Sequence, residues 1–591
     1  MLEITLATKF VPGTNVKGDV AGANWSYLLP NLELERVVSL GVPPAATLAT
    51  LSRLGREVVV VCANERQLRQ VREVIGRRGL DRIRPFTAHD WAALLLPTAC
   101  ADLVLIPQGD EARRLSRNRA LLAELQRLLK PEGVIYFEPG LGGNVPDRFG
   151  EGFGAPLLFW LTPLSGEMQT AVSLGDRETV RYFLSQSLYS PSAGFPLFKR
   201  IERFLTKRRV FGQFTHRRGV ILGRTTANTP SNAPPHYLRS IAQQAGVNID
   251  HYSWGFSARG RFNSRKVLFF LFDRAGGSPE APPAYIVKMT RDPALNARLA
   301  NEYRALTLLH EKRLGDLETL PQTAFFGYHG GLAIVGETVI NGLPFRTRTT
   351  ATADCPYARA AIDWLVELGT ATANSVAATP TQVASALEAL FDQFVQIYQL
   401  TPGHRDFLAG QIAAIAGSRE PFPLVFQHGD PGPWNVVVTP SGRVAFLDWE
   451  AAEPEGMPLW DLFYFMRSHT VWAARVRGVQ SSLGTIAQQW LHESPLSAWV
   501  IASTQRYCER IGLPEHLLEP LFYTCWMHRA LKEATRRAPH HLEDGHYVNL
   551  LRLCIEQREA PMLRQLFSLP TPSRHPSSVK GEQGVSLSVS V

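Results

Sequence analysis

The chain has few cysteines and no long apolar run. Its 591 residues include six cysteines, and none of these cysteines forms a CxxC pair. This scattering argues against a disulfide framework or a zinc cluster and is typical of a reducing cytosol. The N-terminal residues lack an apolar run of signal-peptide length, and the most apolar window, Ala155 to Leu164, is too short to cross a bilayer. We therefore expect a cytoplasmic protein without a membrane span.

The sequence also lacks a strongly charged segment. The formal net charge is +9, but the excess of lysine and arginine is spread along the chain. A nucleic-acid site would need a concentrated basic patch, so we expect a mildly basic, solvated surface and no nucleic-acid partner. The same balance disfavours a polycationic acceptor, although local acidity in a cleft could override it. With 45% hydrophobic residues, a globular chain of this length should form two or more domains.

The first 200 residues alternate between strand and helix patterns. The predicted order is strand, helix, strand, helix, strand, strand, helix, strand, at Leu34 to Leu40, Ala49 to Leu54, Glu57 to Val61, Glu65 to Arg77, Ile83 to Phe86, Asp102 to Ile106, Asn118 to Leu129 and Val134 to Phe137. This alternation predicts a Rossmann-like, doubly wound α/β sheet. Residues around 140–220 are rich in glycine, proline and aromatic side chains, and we interpret them as a packed joining region.

A β-hairpin is predicted in the C-terminal half. Strand patterns at Val436 to Val438 and at Val444 to Leu447 flank the turn residues Pro440 to Gly442. Asn435 and Asp448 are equidistant from the centre of this turn, so antiparallel pairing predicts that they lie side by side at the open end. Because an amide oxygen and a carboxylate are ligands that Mg²⁺ accepts, this end of the hairpin predicts a metal site.

Asp430 lies just before this hairpin, in a loop that cannot be helical. It follows Gly429, precedes Pro431, and stands five positions before Asn435. His-x-Asp followed by four residues and Asn is the spacing of a kinase catalytic loop, in which the Asp accepts the proton of an attacking hydroxyl and the Asn binds a metal on the nucleotide phosphates. Asp448 would then supply a second metal ligand. The alternative is that all three are ordinary loop residues.

The motif HGDxxxxN, followed by LDWE and PxWD, resembles the aminoglycoside phosphotransferase and choline kinase branch of the protein-kinase-like fold. In that branch a glycine stands at Gly429, and Trp449 and Glu450 follow the metal-binding Asp448. The resemblance implies a bilobal domain that uses ATP and Mg²⁺ to phosphorylate a small-molecule hydroxyl, because the short distance from Asp448 to Asp461 leaves no room for a protein-kinase activation segment. It also implies that Asp461 braces the catalytic loop, with a helix N-cap as the alternative.

Lys288 lies inside the apolar strand pattern AYIVKMT, where a lysine needs an anionic partner. A helix is predicted over Asn296 to Leu309, and it carries Glu302 fourteen positions after Lys288. The resemblance implies that these two residues form the Lys–Glu pair that orients the ATP phosphates. The alternative is an edge-strand lysine and a solvent-facing glutamate.

Two further segments resemble nucleotide-binding parts of the same family. The stretch GRFNSRKVLFFLF resembles the nucleotide loop, which implies phosphate contacts from Gly260, Asn263 and Ser264, and a simple hairpin turn is the alternative. The stretch LAIVGETVINGLPF resembles the connection between the two lobes. That resemblance implies that backbone groups of Glu337 and Thr338 meet the adenine.

Residues 121–139, LLAELQRLLKPEGVIYFEP, resemble the late helix and strand of class I S-adenosylmethionine-dependent methyltransferases. The resemblance implies a cofactor loop at Gly41, ribose contacts from Asn64 or Glu65, and an adenine contact from Asp90. The loop departs from the family, because SLGVPP has one glycine and two prolines where the family has an acidic residue and GxGxG. A plain helix cap is the alternative for Asp90.

Together these patterns predict an α/β plus α+β chain, in which a Rossmann-like doubly wound sheet precedes a bilobal protein-kinase-like domain. The predicted parts are a methyltransferase-like domain with its joining region, a kinase-like N-lobe, a helical C-lobe with the catalytic loop and a disordered tail, at residues 1–200, 215–345, 346–567 and 568–591. We expect an ATP-dependent small-molecule phosphotransferase fused to a methyltransferase-like domain with an altered cofactor loop. The alternatives are a nucleotide-binding pseudoenzyme or regulatory scaffold, and a bifunctional enzyme that uses both ATP and S-adenosylmethionine.

Overall fold

The computed structural model describes most of the chain. The described residues are 10, 23–109, 118–139, 153–163, 166–185, 204, 217–224, 232–258, 266–274, 281–314, 318–348, 350, 352, 354–374, 376 and 378–568. The predicted nucleotide-loop residues Gly260, Asn263 and Ser264 lie outside them, as does the predicted tail from residue 569 onward. All six cysteines lie within them and are free thiols. Among the helices in these ranges, none is long and apolar enough to cross a bilayer.

One sheet of thirteen strands extends through both halves of the described chain. Its strands are β1 (Leu34–Leu40), β2 (Gly55–Cys62), β3 (Ile83–Thr87), β4 (Ala101–Ile106), β5 (Leu129–Phe137), β6 (Leu157–Thr162), β7 (Thr170–Ser173), β8 (Arg218–Gly223), β9 (Tyr252–Ser257), β10 (Lys266–Asp273), β11 (Tyr285–Thr290), β12 (Thr323–His329) and β13 (Leu332–Thr338). The helices that pack near it are α1 (Ala45–Leu54), α2 (Glu65–Arg78), α3 (Arg119–Leu128), α4 (Arg177–Ser185), α5 (His236–Gln244) and α6 (Asn296–Glu311). The strand order is β3-β2-β1-β4-β5-β8-β6-β7-β9-β10-β11-β13-β12.

The first five strands in the chain are parallel, as the alternation of strands and helices predicts. β8 pairs antiparallel with both β5 and β6, so Arg218–Gly223 belongs to the N-terminal sheet. Its placement in a kinase-like N-lobe starting at residue 215 was wrong. The predicted joining region likewise contributes β6 and β7 to the sheet. Short apolar runs between glycines and prolines are compatible with buried strands as well as with a packed linker, and periodicity does not separate the two.

The two halves of the sheet join where β7 pairs antiparallel with β9. At this seam Val172 lies opposite Gly255, and a Cβ on Gly255 would come within 2.4 Å of the Phe183 ring of α4. On the other face, the rings of Tyr27 and Phe256 stack with centroids 6.0 Å apart. One hydrophobic core therefore continues from the N-terminal sheet into the strands that follow it.

The remaining elements form a helical lobe with its own hydrophobic core. Its helices are α7 (Phe345–Arg348), α8 (Pro356–Thr372), α9 (Pro380–Ile397), α10 (Pro402–Ala416), α11 (Trp460–Val476), α12 (Ser482–Ile486), α13 (Pro495–Ile511), α14 (Leu518–Ala534), α15 (His546–Glu556) and α16 (Pro561–Phe567). Its short strands are β14 (Leu343–Pro344), β15 (Val425–Gln427), β16 (Val436–Val438), β17 (Val444–Phe446) and β18 (Glu453–Gly456).

The predicted hairpin forms from β16 and β17, but its register differs by one residue from the expectation. Val436 pairs with Phe446, so the residue opposite Asn435 is Leu447, whose N–H donates to the Asn435 carbonyl at 2.8 Å. The predicted equidistance of Asn435 and Asp448 was therefore wrong. The turn is a three-residue loop with Gly442 at φ 86°, and such a loop centres the hairpin on a residue and not between two residues.

Candidate active site

The loop between β15 and β16 is fixed by the Asp461 carboxylate on α11. The carboxylate accepts hydrogen bonds from the backbone N–H of His428 at 2.6 Å and of Gly429 at 3.2 Å. Arg529 on α14 donates to the Gly429 carbonyl at 2.9 Å, and its guanidinium lies 3.5 Å from the centroid of the Tyr464 ring. Both backbone groups of Gly429 are thus bound to charged side chains, which holds this loop in one conformation.

Two residues of this loop allow its tight path. Gly429 has φ 78°, and a Cβ at this position would lie 1.9 Å from the carbonyl oxygen of Ala451, so only glycine fits. His428 is fully buried, accepts from the Asp430 N–H through Nδ1 and lies 3.0 Å from the Leu447 carbonyl through Nε2. These partners require a neutral ring with the proton on Nε2, and burial lowers the pKa of His428 in agreement.

Asp430 presents its carboxylate at the surface of this loop. Asn435 Nδ2 donates to the Asp430 carbonyl at 2.9 Å and to its Oδ2 at 3.3 Å. Trp434, whose side chain is 55% exposed, donates to the same Oδ2 at 3.4 Å. Because the amide nitrogen of Asn435 is used within the loop, its amide oxygen remains available to a cation.

Lys288 on β11 forms the predicted contact with Glu302 on α6, with 2.6 Å between Nζ and Oε1. The same ammonium lies 3.0 Å from Glu337 Oε2, and all three side chains are buried. Burial opposes the charge on Lys288, but the two carboxylates outweigh it and raise the pKa of its ammonium. Burial and Glu337 raise the pKa of Glu302 to about 7. The cluster thus holds two carboxylates around one cation.

A second lysine, Lys266 at the start of β10, reaches the segment that follows β17. Its ammonium contacts the Asp448 carboxylate and lies 3.1 Å from Glu450 Oε2. Burial would raise the pKa of Asp448, but Lys266 overcomes this effect and lowers that pKa to about 2. The Trp449 N–H donates to Glu302 Oε1 at 2.9 Å. The Asp448 segment is therefore connected to both lysine clusters.

The residues at the hairpin end fit a magnesium site. Asp448 supplies an ionised carboxylate and Asn435 an amide oxygen, and Mg²⁺ is commonly held by one or two such groups together with phosphate oxygens and water. Within the described chain, no group of three or more His, Cys, Asp or Glu side chains is arranged as a complete metal site. Asp448 and Asn435 would therefore hold the ion with the nucleotide, and Lys266 would have to release Asp448.

Glu337 and Thr338, in the segment that resembles the lobe connection, make contacts that were not predicted. Glu337 binds Lys288 through its buried side chain. The adenine contact expected of its backbone groups stays a prediction. The Thr338 N–H already donates to the Gln322 carbonyl at 2.9 Å. That N–H is not free for adenine in this conformation, because Gln322, just before β12, supplies its acceptor. An adenine contact from other backbone groups of Thr338 stays a prediction.

The carboxyl ends of β1, β2 and β3 bring Gly41, Asn64 and Asp90 to one edge of the sheet. Gly41 has φ 104° and donates its N–H to the Val61 carbonyl. Asn64 Oδ1 caps α2 by accepting from the Gln67 N–H at 3.0 Å. Asp90 Oδ1 accepts from the Ala92 N–H at 2.9 Å, within a local turn.

These groups do not fit S-adenosylmethionine. The nearest acid at the end of β2, Glu65, accepts from the Thr87 hydroxyl at 3.2 Å. Pro43 and Pro44 follow Gly41 and have no N–H to offer. The edge thus lacks the glycine-rich backbone through which this cofactor would be approached.

The fold and this site define a kinase-like phosphotransferase domain that follows a methyltransferase-like sheet. Family models agree, because residues 271–495 match the phosphotransferase enzyme family and residues 38–137 match a methyltransferase domain. The chain therefore joins domains of these two kinds. No curated protein matches it in sequence.

Several solved structures are similar to parts of the chain. An aminoglycoside phosphotransferase from Alicyclobacillus acidocaldarius is 14% identical, with a TM-score of 0.28, over 51% of this chain and 89% of that one. A SAM-dependent methyltransferase from Aquifex aeolicus is 18% identical, with a TM-score of 0.17, over 20% of this chain and 66% of that one, slightly under two thirds of its length. WbdD in complex with a kinase inhibitor is 12% identical, with a TM-score of 0.23, over 82% of this chain and 84% of that one. Because these scores are low, no function is inferred from them.

Sequence reasoning missed Lys266 and the side-chain role of Glu337. Lys266 precedes the apolar run VLFFLF, and Glu337 ends the run LAIVGE. The argument that identified Lys288, a charge next to a buried strand that needs a partner, applies to both residues. The partners themselves lie far away in sequence, so only the structure identifies them.

Proposed function

We propose that the C-terminal half is an ATP-dependent phosphotransferase that acts on a hydroxyl of a small molecule. The observation that carries this proposal is the shared Glu302 carboxylate. Its Oε1 binds both Lys288 Nζ and the Trp449 N–H, which follows Asp448 directly. This contact fixes the lysine relative to the segment that would bind the metal, and such positioning supplies most of the rate in phosphoryl transfer.

In the proposed reaction, the acceptor oxygen bonds to the γ-phosphorus while the bond from that phosphorus to the β–γ bridging oxygen breaks, and ADP leaves. Asp430 receives the hydroxyl proton. Lys288, held by Glu302, orients the ATP phosphates. Asn435 and Asp448 would hold Mg²⁺, which neutralises phosphate charge when it is bound. Lys266 exchanges Asp448 for a phosphate oxygen when the nucleotide enters.

Asp430→Asn tests this assignment. We expect turnover to fall by roughly 10²- to 10⁴-fold while the affinity for ATP stays nearly unchanged, because the base is lost and the phosphate contacts remain. ADP release is measured over a panel of sugars, amino alcohols and antibiotics, and ATP binding is measured by calorimetry. The control is Asp406→Asn, an exposed aspartate on α10. Equal turnover of the wild type and Asp430→Asn would rule out Asp430 as the base.

For the N-terminal half, the local hydrogen bonds of Asn64 and Asp90 favour a scaffold over methyl transfer. We expect calorimetry with S-adenosylmethionine to show no binding to the full chain. Saturable binding would favour the bifunctional alternative. Loss of that binding in Asn64→Ala would then locate the cofactor at the carboxyl edge of β2.

A further inference from the structure

Arg467 on α11 is a buried cation that has no counter-ion among the described residues. Arg467 is only 8% exposed, and its guanidinium lies 4.9 Å from the centroid of the Tyr547 ring. Its Nε atom is buried without a hydrogen-bond partner. Within the described residues, no carboxylate pairs with it, although removing an unpaired charge from water is costly. A cation in this state is well suited to an anionic ligand.

Arg467 is connected to the loop that carries Asp430 through Tyr464. On α11, Tyr464 lies three positions after Asp461 and three before Arg467, so it neighbours both residues. Asp461 binds the loop backbone, and Tyr464 lies 6.1 Å from the Trp434 ring and 6.1 Å from the Tyr547 ring. The six residues from Asp461 to Arg467 rise by about 9 Å. An aromatic wall therefore extends from Asp430 to Arg467.

Arginines, Arg467 among them, lie close to His546. His546 at the start of α15 has an Nε2 atom that is buried without a partner. Burial lowers the pKa of His546 to about 3, and Arg467, Arg475 and Arg537 add to this shift. Arg537 is neutralised by Glu533 at 2.7 Å, whereas Arg467 has no such partner in the described chain. Glu533 also accepts from the Tyr547 N–H at 2.9 Å, so in the described chain the charge beside the Tyr547 ring that lacks a carboxylate partner is that of Arg467.

We propose that Arg467 binds an anionic group of the acceptor, a phosphate or a carboxylate, while the acceptor hydroxyl faces Asp430. This inference rests on the proposed phosphotransferase function and deepens it. The acceptor would extend along the rings of Trp434, Tyr464 and Tyr547, which connect Asp430 to Arg467. The exposed ring of Trp434 offers a surface for the body of the acceptor between them.

The first test compares matched acceptors. Glucose, glucose 6-phosphate and glucuronate are assayed with ATP, followed by glycerol, glycerol 3-phosphate and glycerate. We expect the anionic members to be favoured in kcat/KM, and Arg467→Met to raise their KM by roughly 100-fold with a smaller effect on kcat. Arg467→Lys should recover part of the loss. The control is Arg477→Met, an exposed arginine just after the same helix.

The second test requires no turnover. Inorganic sulfate is titrated by calorimetry into the wild type and into Arg467→Met, both with saturating Mg-ADP. We expect the wild type to bind one more sulfate than the variant. Equal sulfate binding overturns the proposal, as does an equal preference of the wild type for neutral and anionic acceptors. Absence of phosphate transfer to any acceptor would count against the proposed function alone, because the sulfate comparison stands apart from it.

Discussion

The two candidate ligand regions of the long sheet use polar side chains in opposite ways. One is the carboxyl edge of β1, β2 and β3, and the other is the cleft around Lys288 and Lys266. At the N-terminal edge, Asn64 and Asp90 bond to backbone N–H groups three and two positions away. In the kinase-like cleft, Lys288 binds Glu302 fourteen positions away, and Lys266 binds Asp448 across 182 positions. Local hydrogen bonds of the first kind stabilise turns and caps at small cost. Charges of the second kind must be held out of water by tertiary packing.

The cleft also keeps atoms that have no partner. Glu302 Oε2 and Glu337 Oε1 are buried without a hydrogen bond in the described structure. Natural folds satisfy most buried polar atoms, so unsatisfied ones in a cluster of opposite charges indicate a site that is completed by a ligand. At the N-terminal edge, Asn64 and Asp90 are exposed to water, and each uses Oδ1 in a local cap or turn. The buried, unsatisfied oxygens therefore lie around Lys288, where the proposed chemistry would take place.

Lys288→Met should give the largest effect, because it leaves Glu302 and Glu337 buried without their cation. We expect kcat/KM for ATP to fall by roughly 100- to 1000-fold, because a charge that orients the ATP phosphates is lost. The control is Lys130→Met, which breaks the Lys130–Asp102 pair of similar length, 2.7 Å, at the more exposed amino end of the N-terminal sheet. Equal losses of activity in both variants would contradict the distinction between cleft and edge.

Gly429→Ala should come next. The new Cβ would lie 1.9 Å from the Ala451 carbonyl oxygen, so the catalytic loop must shift and carry Asp430 with it. A misplacement of about 1 Å can cost roughly 100-fold in rate, which is the expected fall in kcat. Gly478→Ala is the matched control, since Gly478 has φ 89° but nothing within 4 Å of its added Cβ. Activity assays on both variants separate the steric contact from backbone strain.

Much of the fold follows from sequence because its signals are local. The alternating strands and helices of the first 137 residues, the hairpin and the helix with Glu302 each show their own periodicity. The role of β8 did not follow, since its partners β5 and β6 lie far away in sequence. The continuous sheet across the β7–β9 seam is likewise a matter of tertiary pairing.

The residues of the candidate site divide in the same way, into those with a local sequence signal and those whose partners are distant in sequence. Asp430, Asn435, Asp448, Lys288 and Glu302 follow from residue type and spacing, although the hairpin register of Asp448 was missed because the turn has an odd number of residues. Lys266 and the carboxylate of Glu337 required the structure. Each is a single charge beside an apolar run, and a sequence alone does not show which distant charge neutralises it.

Gly255→Ala tests whether the seam joins the two regions mechanically. Its Cβ would meet the Phe183 ring at 2.4 Å, and overpacking of this kind costs about 2 to 3 kcal/mol. We expect a lower midpoint of thermal unfolding for the whole chain. Gly76→Ala in α2, where nothing lies within 4 Å, should raise the midpoint slightly. An unchanged midpoint for Gly255→Ala would show that the two regions unfold without the seam.

Asp176→Asn should give the smallest effect, and one that depends on pH. Asp176 precedes α4 and accepts from Arg274 at 3.0 Å, and Arg274 Nε donates to Ser253 Oγ on β9 at 2.7 Å. Burial opposes ionisation, but hydrogen bonds from Ser253 and Thr179 and the Arg274 charge outweigh it and lower the pKa of Asp176. A lowered folded pKa means that the stabilisation is complete above about pH 4 and is lost as the pH falls through the folded value.

We therefore expect the variant to lose about 1.5 kcal/mol relative to the wild type at pH 7 and at pH 5, with a difference that shrinks below about pH 4. Thermal unfolding midpoints across this range measure it. Asp250→Asn breaks an Arg–Asp contact of the same 3.0 Å length, but Asp250 is 62% exposed, so its effect should be near zero at every pH. A constant difference for Asp176→Asn from pH 7 to pH 3 would mean that the seam depends on the shape of this side chain and not on its charge.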